Sequence, residues 1–194
     1  MEQGEVFELA LQTLGNIEFR EESPTPDACI RWWPHVLRLA GSRYNWSFAS
    51  RRAVLEHPKP YPGDRWLYRL PSGLIALTRI MTKDGRRRIA CPELVHGGLT
   101  VGEDGSHGIM IDYQGDIVSA SGELPDSNPM FCDAVVHLLA ARIAANLTGS
   151  AQLRQSLEQQ ADNLFIGAIS HDKAQDWGNA RSPLYMLSQD HLWN

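Results

Sequence analysis

The residues of this sequence that could do chemistry are a few histidines, cysteines and acids. His171 is the one histidine that directly precedes an acid, Asp172, and general acid–base catalysis uses such pairs. The pair falls near the end of a predicted helix, where a histidine also stabilises the helix dipole, and this explains it more simply than catalysis. Cys91, His96 and His107 lack the paired spacing of a zinc site.

The signatures of common enzyme classes are absent from the sequence. It contains no glycine-rich G-x-x-x-x-G-K or G-x-G-x-x-G loop for phosphates and no H-E-x-x-H or G-x-S-x-G motif. We therefore expect no enzyme activity, no catalytic residue, no cofactor and no metal.

Four cations crowd the tip of a predicted hairpin: Lys83, Arg86, Arg87 and Arg88. This basic tip could touch nucleic-acid phosphates. A solvated turn, or a contact with an acidic protein surface, is the simpler interpretation.

The charges of the chain are segregated along its length. The net charge is −5, yet residues 31–88 hold 13 of the 18 Lys and Arg against three acids. The remainder holds five basic and 20 acidic residues. Such polarity favours association with other charged surfaces, although some of the arginines could pair internally with the acidic flanks.

The longest apolar patterns predict a pair of helices that organises the rest of the chain. Asn128 followed by Pro129 predicts the start of the first helix, and Gly149 its end, with Thr148 or Ser150 capping the second helix. Apolar residues recur at three- and four-residue spacing in both, which predicts an antiparallel hairpin. The alanines of the first helix indicate either good helix propensity or a helix wedged between its own subunit and a neighbour.

The N-terminal third predicts two more helices, and the middle of the chain predicts strands. One helix covers Glu5 to Leu14, and another opens at Thr25-Pro26-Asp27, is bent by Pro34 and ends at Gly41. Trp46 and Phe48 should fill the end of the bundle. Residues 57–63 predict a stiff proline-rich linker, and strands are expected at 66–71, 74–81, 86–90, 99–101, 108–112 and 116–119.

These patterns predict an α+β protein, mainly a bundle of about four helices with a β-rich insertion and an extended C-terminal arm. We expect residues 1–55 and 124–176 to form the bundle, 56–123 the insertion and 177–194 the arm. The arm is rich in large apolar residues without periodicity, which is typical of a segment that orders on a partner or packs on its own subunit. Its candidate interface residues are Trp177, Leu184, Tyr185, Leu192 and Trp193.

The cysteines and the apolar runs bound the compartment. No apolar stretch is long enough to span a bilayer, and the acidic N-terminus is unlike a signal peptide. We therefore expect a chain made in a reducing cytosol. Cys29, Cys91 and Cys132 are an odd number at spacings that match no metal motif. Cys29 and Cys132 fall on predicted apolar helix faces, so we expect both to be buried free thiols.

A series of packing motifs runs from Glu5 to Asp172. In order they are Leu11-Gln12-Thr13-Leu14-Gly15, Cys29 with Trp33-Pro34, Trp46-Ser47-Phe48-Ala49 with Arg52-Ala53 and Leu55, Tyr68 with Leu70-Pro71 and Leu74, and Phe131 with Leu139-Ala140-Ala141, Ala144 and Leu147-Thr148-Gly149-Ser150. This order resembles the head–tail connector family of tailed bacteriophages, which is related to tail tubular protein A and to the adaptor rings beneath the portal.

The resemblance implies a structural virion protein that is assembled in the host cytoplasm. It implies a homo-oligomeric ring of about twelve copies that joins the portal protein to a downstream tail or neck protein. Double-stranded DNA would pass through this ring without sequence specificity during genome retention and ejection, and no membrane is involved. The C-terminal arm would embrace a neighbouring copy or dock on the portal.

Three other functions stay open from the sequence. One is a tail-tube terminator or stopper protein of the neck, which the sequence separates poorly from an adaptor. Another is a monomeric nucleic-acid-binding module that uses the basic segment 43–88, which predicts strongly salt-dependent DNA binding. The third is a small hydrolase that uses His171 and Asp172 with a distant nucleophile.

Overall fold

The structure, a computed structural model, describes residues 1–15, 24–96, 98–102, 106–118 and 122–180, without the side chains of 24–26, 145 and 176–180. It confirms an α+β protein. The helices are α1 (Gln3–Thr13), α2 (Pro24–Ser42), α3 (Pro129–Thr148) and α4 (Ala151–Ala180). The strands are β1 (Ser50–Leu55), β2 (Lys59–Tyr61), β3 (Arg65–Tyr68), β4 (Ala76–Thr82), β5 (Glu93–Val95), β6 (Gly98–Val101) and β7 (Ile109–Gln114).

The chain divides into two compact units. A helical unit combines Met1–Phe48 with Ile117–Asn194, and a β unit comprises Ala49–Asp116. The predicted boundary at residue 55 is wrong, because Ser50–Leu55 is strand β1. Ala53 and Leu55 alternate with the outward Arg52 and Val54, and β7, far along the chain, supplies the pairing strand.

Helix α3 is the centre of the helical unit, and α1, α2 and α4 all pack against it. Its buried residues point in every direction around the helix: Phe131, Cys132, Ala134, Val135, Val136, Leu138, Leu139, Ala140, Ala141, Ile143 and Ala144. A helix that is apolar all round belongs inside a bundle. These alanines are therefore covered by the chain itself and offer no face to a neighbouring copy.

The ends of α3 follow the local signals. The Asn128 side chain accepts a hydrogen bond from the Phe131 N–H at 3.2 Å, and Pro129 occupies the first turn. Gly149 ends the helix at φ +67°, and Ser150 Oγ then accepts from the Leu153 N–H at 3.2 Å to start α4. Both caps satisfy backbone N–H groups that have no partner inside the helix. The short joint produces the predicted antiparallel hairpin, in which Asn128 Nδ2 donates to the Ala168 carbonyl at 3.0 Å.

An aromatic cluster fills the end of the bundle, as the sequence predicts. The fully buried Trp46 stacks on Phe48 with ring centroids 5.5 Å apart and meets Phe131 edge-on at 4.8 Å. Phe165 of α4 closes the cluster at 6.0 Å from Phe131. The indole N–H donates to the Ala40 carbonyl at 3.0 Å, so the buried polar atom of Trp46 is satisfied.

The β unit consists of two antiparallel sheets. One has the strand order β1-β7-β4 and the other β2-β3-β6-β5. Apolar side chains from both sheets form one core: Tyr68, Ile80, Ile89, Leu99, Val101, Ile109 and Ile111. No strand contributes more than two of these residues, so the core depends on pairing between distant segments.

Several strand predictions are corrected. The proline-rich segment is not only a linker, because Lys59–Tyr61 pairs with β3, and the short strand β5 was not expected. Residues 86–90 do not form a strand, since only Arg88 bridges to Met81, and residues 116–118 are not a strand either. Residue 119 lies outside the described residues. Strands of only three residues at a sheet edge have too short a sequence pattern to be predicted, because their pairing depends on the neighbouring strand.

The fold also redistributes the charge that the sequence segregates. The β unit contains ten Lys and Arg against eight Asp and Glu, and the helical unit contains eight against fifteen. The basic segment 31–88 is thus split between the two units, and the acids of residues 93–116 belong to the β unit, where they offset part of its positive charge. The helical unit has more acidic than basic residues, as the sequence outside 31–88 does.

Candidate functional site

The His171–Asp172 pair has a structural role within the helical unit. Asp172 is 1% exposed, and its carboxylate accepts from the Ser47 N–H at 3.0 Å and from Ser47 Oγ–H at 2.7 Å. It therefore ties α4 to the first residue of the 3₁₀ turn Ser47–Ala49. The buried Nδ1 of His171 has no hydrogen-bond partner among the described residues. Asp172 does not orient this histidine as a catalytic acid would.

The three cysteines differ sharply in their environment. Burial raises the pKa of both Cys29 and Cys132 to about 11, which makes them poor nucleophiles. Cys91 is exposed and lies at φ +49°. Within the part of the chain that the structure describes, no three His, Cys, Asp or Glu residues come together as potential metal ligands.

The basic tip is partly neutralised by its own surroundings. Lys83 Nζ lies 2.5 Å from a Glu56 oxygen, and this hydrogen bond lowers the pKa of Glu56. Arg86 Nε lies 3.9 Å from a carboxylate oxygen of Asp84. All four predicted cations are exposed, as expected for a surface. Two of them nevertheless face carboxylates of the same unit.

The other two cations of the tip have different surroundings. The backbone of Arg87 forms two hydrogen bonds with Thr82. The Arg87 N–H donates to Thr82 Oγ1 at 3.2 Å, and the Arg87 carbonyl accepts from the Thr82 N–H at 2.8 Å. Arg88 is one of the residues that line a pocket.

The sequence did not predict this pocket of the β unit. It has a volume of about 630 Å³ and lies between the edge strands β4 and β5. Its lining is mainly apolar with two arginines: Leu77, Thr78, Arg79, Ile80, Arg88, Ile89, Ala90, Cys91, Pro92, Leu94 and Leu99. The predicted strand at 74–81 accounts for one wall of the pocket. The opposite wall is formed by the residues after Arg88, which the sequence did not place beside this strand.

A row of charges crosses the three-stranded sheet on its outer face. Arg52, Asp112 and Arg79 occupy facing positions on β1, β7 and β4. Arg52 grips Asp112 with two hydrogen bonds, of 2.6 and 3.2 Å. These bonds, with the nearby charge of Arg79, lower the pKa of Asp112. The sequence did not indicate this cluster, because its members are far apart in the chain, with Arg52 and Asp112 separated by 60 residues.

The candidate interface residues of the C-terminal arm lie almost wholly beyond the described part. The backbone of Trp177 belongs to α4, which corrects the predicted arm start at 177, but its side chain is not described. Leu184, Tyr185, Leu192 and Trp193 lie outside the described residues.

Comparison with known protein families and with curated proteins finds no match. Among the described residues, no helix combines the length and apolar character needed to cross a bilayer.

Proposed function

We propose that this chain is a structural protein of a tailed-bacteriophage virion, a head–tail adaptor. About twelve copies would form a ring that joins the portal to the tail and lines the DNA channel. The observation that carries the proposal is the arrangement of the units. A helical unit built from both ends of the chain is interrupted by a β unit, which is the layout that the resemblance implies.

The charge of the helical unit supports a role beside passing DNA. With fifteen acids against eight cations, it would repel phosphates rather than bind them. A conduit of this kind needs a surface along which DNA slides without being held. The proposed ring would present part of this acidic surface to its channel.

The pairing within the basic tip supports an adaptor over a DNA-binding module. Lys83 and Arg86 already face Glu56 and Asp84, so part of their charge is compensated before any phosphate arrives. A module that grips DNA needs several uncompensated cations on one surface.

The test is the native mass of the full chain, alone and mixed with portal rings of the same virus. An adaptor is expected to bind portal at a fixed stoichiometry of about one chain per portal subunit. As a control, the same mixture is made with portal rings from an unrelated phage. A ring formed without portal, and no binding to portal, would favour a terminator or stopper protein instead.

A parallel measurement separates the nucleic-acid alternative. The adaptor is expected to cause no shift of a 30-base-pair DNA duplex at physiological salt. A shift that weakens steeply between 50 and 200 mM salt, and that disappears when Arg87 and Arg88 are both replaced by Glu, would overturn the proposal in favour of the module. The matched control is Arg69→Glu, an exposed arginine of the same unit outside the tip.

A further inference from the structure

We infer that the pocket between β4 and β5 is a binding site for a small amphipathic anion, a molecule with an apolar chain and a single carboxylate. The apolar chain would lie against the inner wall of the pocket, and the carboxylate would meet the two arginines that line it. The site belongs to the β unit alone. The inference goes beyond the proposed adaptor function and does not depend on it.

The inner wall of the pocket is continuous with the hydrophobic core of the β unit. Ile80, Ile89 and Leu99 line the pocket, and all three are buried members of that core. Leu94 also lines the pocket, yet it is 65% exposed. The pocket therefore presents apolar surface that a ligand would remove from water. Its volume of about 630 Å³ is within the range of small-molecule sites.

The charged residues that line the pocket are both basic. Arg79 and Arg88 are exposed to solvent, unlike the buried residues of the inner wall. Among the described residues, no acid lines the pocket. The nearby Glu93 pairs instead with Arg65, whose Nη1 lies 3.1 Å from a Glu93 carboxylate oxygen. A pocket that has cations and no anion of its own is complementary to a ligand that carries negative charge.

The surroundings of the two arginines favour one negative charge in the ligand rather than two. Arg79 faces Asp112 across β4 and β7, so this carboxylate offsets part of its charge. Arg88 has no ion-pair partner in the part of the chain that the structure describes. A dianion such as a phosphate monoester would be repelled by Asp112. A carboxylate carries one charge, and its two oxygens match the planar fork of a guanidinium.

The edge of β4 beside the pocket is poorly suited to an added peptide strand. Its pairing with β7 changes register between Leu77 and Arg79, so a bulge interrupts the strand. Beyond the bulge, Ile80 and Thr82 already form hydrogen bonds with residues 87–89. Bulges and charged side chains oppose pairing of an edge with another chain. These features favour a small molecule that enters the pocket over a peptide that extends the sheet.

The first test compares four probes by their effect on Cys91 in the full chain. This residue lines the pocket and is exposed, whereas Cys29 and Cys132 are buried, so its reaction with an uncharged disulfide reagent reports occupancy. We expect octanoate to slow the reaction saturably, by about tenfold at saturation, and octanol to need roughly tenfold higher concentration. Octylammonium, with the opposite charge, and acetate, without the apolar chain, should have no effect.

A pair of arginine variants tests recognition of the carboxylate. Arg88→Gln should raise the concentration of octanoate that gives half-protection by about tenfold and should leave that of octanol unchanged. Arg69→Gln removes an exposed arginine of the same unit outside the pocket and should protect as the wild type does. The half-protecting concentration is compared within each variant, because the charge of Arg88 also affects the intrinsic rate of the thiol.

A pair of apolar variants tests recognition of the chain. Leu94→Ser should weaken octanoate and octanol alike, by about threefold, because both lose the same apolar contact. Val54→Ser makes a similar change at a residue that is 49% exposed on β1 and outside the pocket, and it should have no effect on either probe. Circular dichroism spectra verify that all four variants are folded.

Three results would overturn the inference. One is that octanol protects Cys91 at the same concentration as octanoate, or that acetate alone protects it. Another is that Arg88→Gln responds to octanoate as the wild type does. The third is that portal rings protect Cys91 and octanoate does not, which would make the pocket a protein-docking surface. Portal binding itself is measured by native mass, so failure of the adaptor proposal is distinguishable from failure of this inference.

Discussion

Asp172 on α4 accepts both the backbone N–H and the hydroxyl hydrogen of Ser47, two residues 125 positions apart in the sequence. The bond positions the 3₁₀ turn that follows Trp46 and so holds the aromatic cluster against the hairpin of α3 and α4. A residue that resembles half of a catalytic pair in the sequence is a structural link in the fold.

Replacing Asp172 by Ala should destabilise the protein by about 2 kcal/mol, because two half-buried donors of Ser47 lose their acceptor. This corresponds to a fall in Tm of roughly 5–10 °C by circular dichroism. Asp172→Asn keeps one acceptor and should lose less, and Ser47→Ala should lose about 1 kcal/mol. Equal stability of Asp172→Ala and the wild type would contradict the structural role.

The thiols should separate into one reactive and two unreactive groups. At pH 8 the native protein is expected to release one equivalent of reporter from a disulfide reagent, from Cys91, because burial raises the pKa of Cys29 and Cys132 to about 11. Denaturation should release three equivalents. A Cys91→Ser variant that still reacts rapidly in the native state would refute this prediction.

Asp112 should make a pH-dependent contribution to stability. Its pKa is lowered from 3.8 by the hydrogen bonds from Arg52, so the stabilisation is present in full above pH 3.8 and is lost as the pH falls through the folded pKa. Asp112→Asn should cost about 0.5–1 kcal/mol at pH 7, because Arg52 is largely exposed. Denaturant titrations of both proteins at pH 7 and pH 2.5 measure the difference, which should shrink at the lower pH. A pH-independent difference would show that the ion pair contributes nothing.

Gly98 should be essential for the four-stranded sheet. A Cβ at this position would collide with the Tyr68 carbonyl oxygen on β3, whereas at Gly102 nothing among the described residues lies within 4 Å. Gly98→Ala is expected to cost about 1–3 kcal/mol, and Gly102→Ala should be close to neutral. Urea unfolding of the two variants gives the comparison, and similar midpoints would be inconsistent with the close packing of β3 and β6.

The sequence by itself determined the elements whose causes are local. Asn128 with Pro129 and Gly149 with Ser150 set the ends of α3 and α4, since a cap needs only residues a few positions away. The apolar periodicity of the hairpin, the α+β class and the burial of Cys29 and Cys132 followed from the same short-range patterns. The size and apolar character of Trp46 and Phe48 were enough to predict their packing together, with Trp46 fully buried and Phe48 stacked on it.

Only the tertiary structure decided what depends on distant partners. Ser50–Leu55 is a strand because β7 pairs with it, and β5 exists because β6 lies beside it. Lys83 forms an ion pair with Glu56, and Asp112 forms one with Arg52, across separations that no local pattern encodes. The pocket between β4 and β5 has the same origin. Its walls come from β4 of one sheet and from β5 and β6 of the other, which are brought together only when the two sheets pack on a common core. Strand β4 is at the edge of its sheet because only β7 pairs with it along its length.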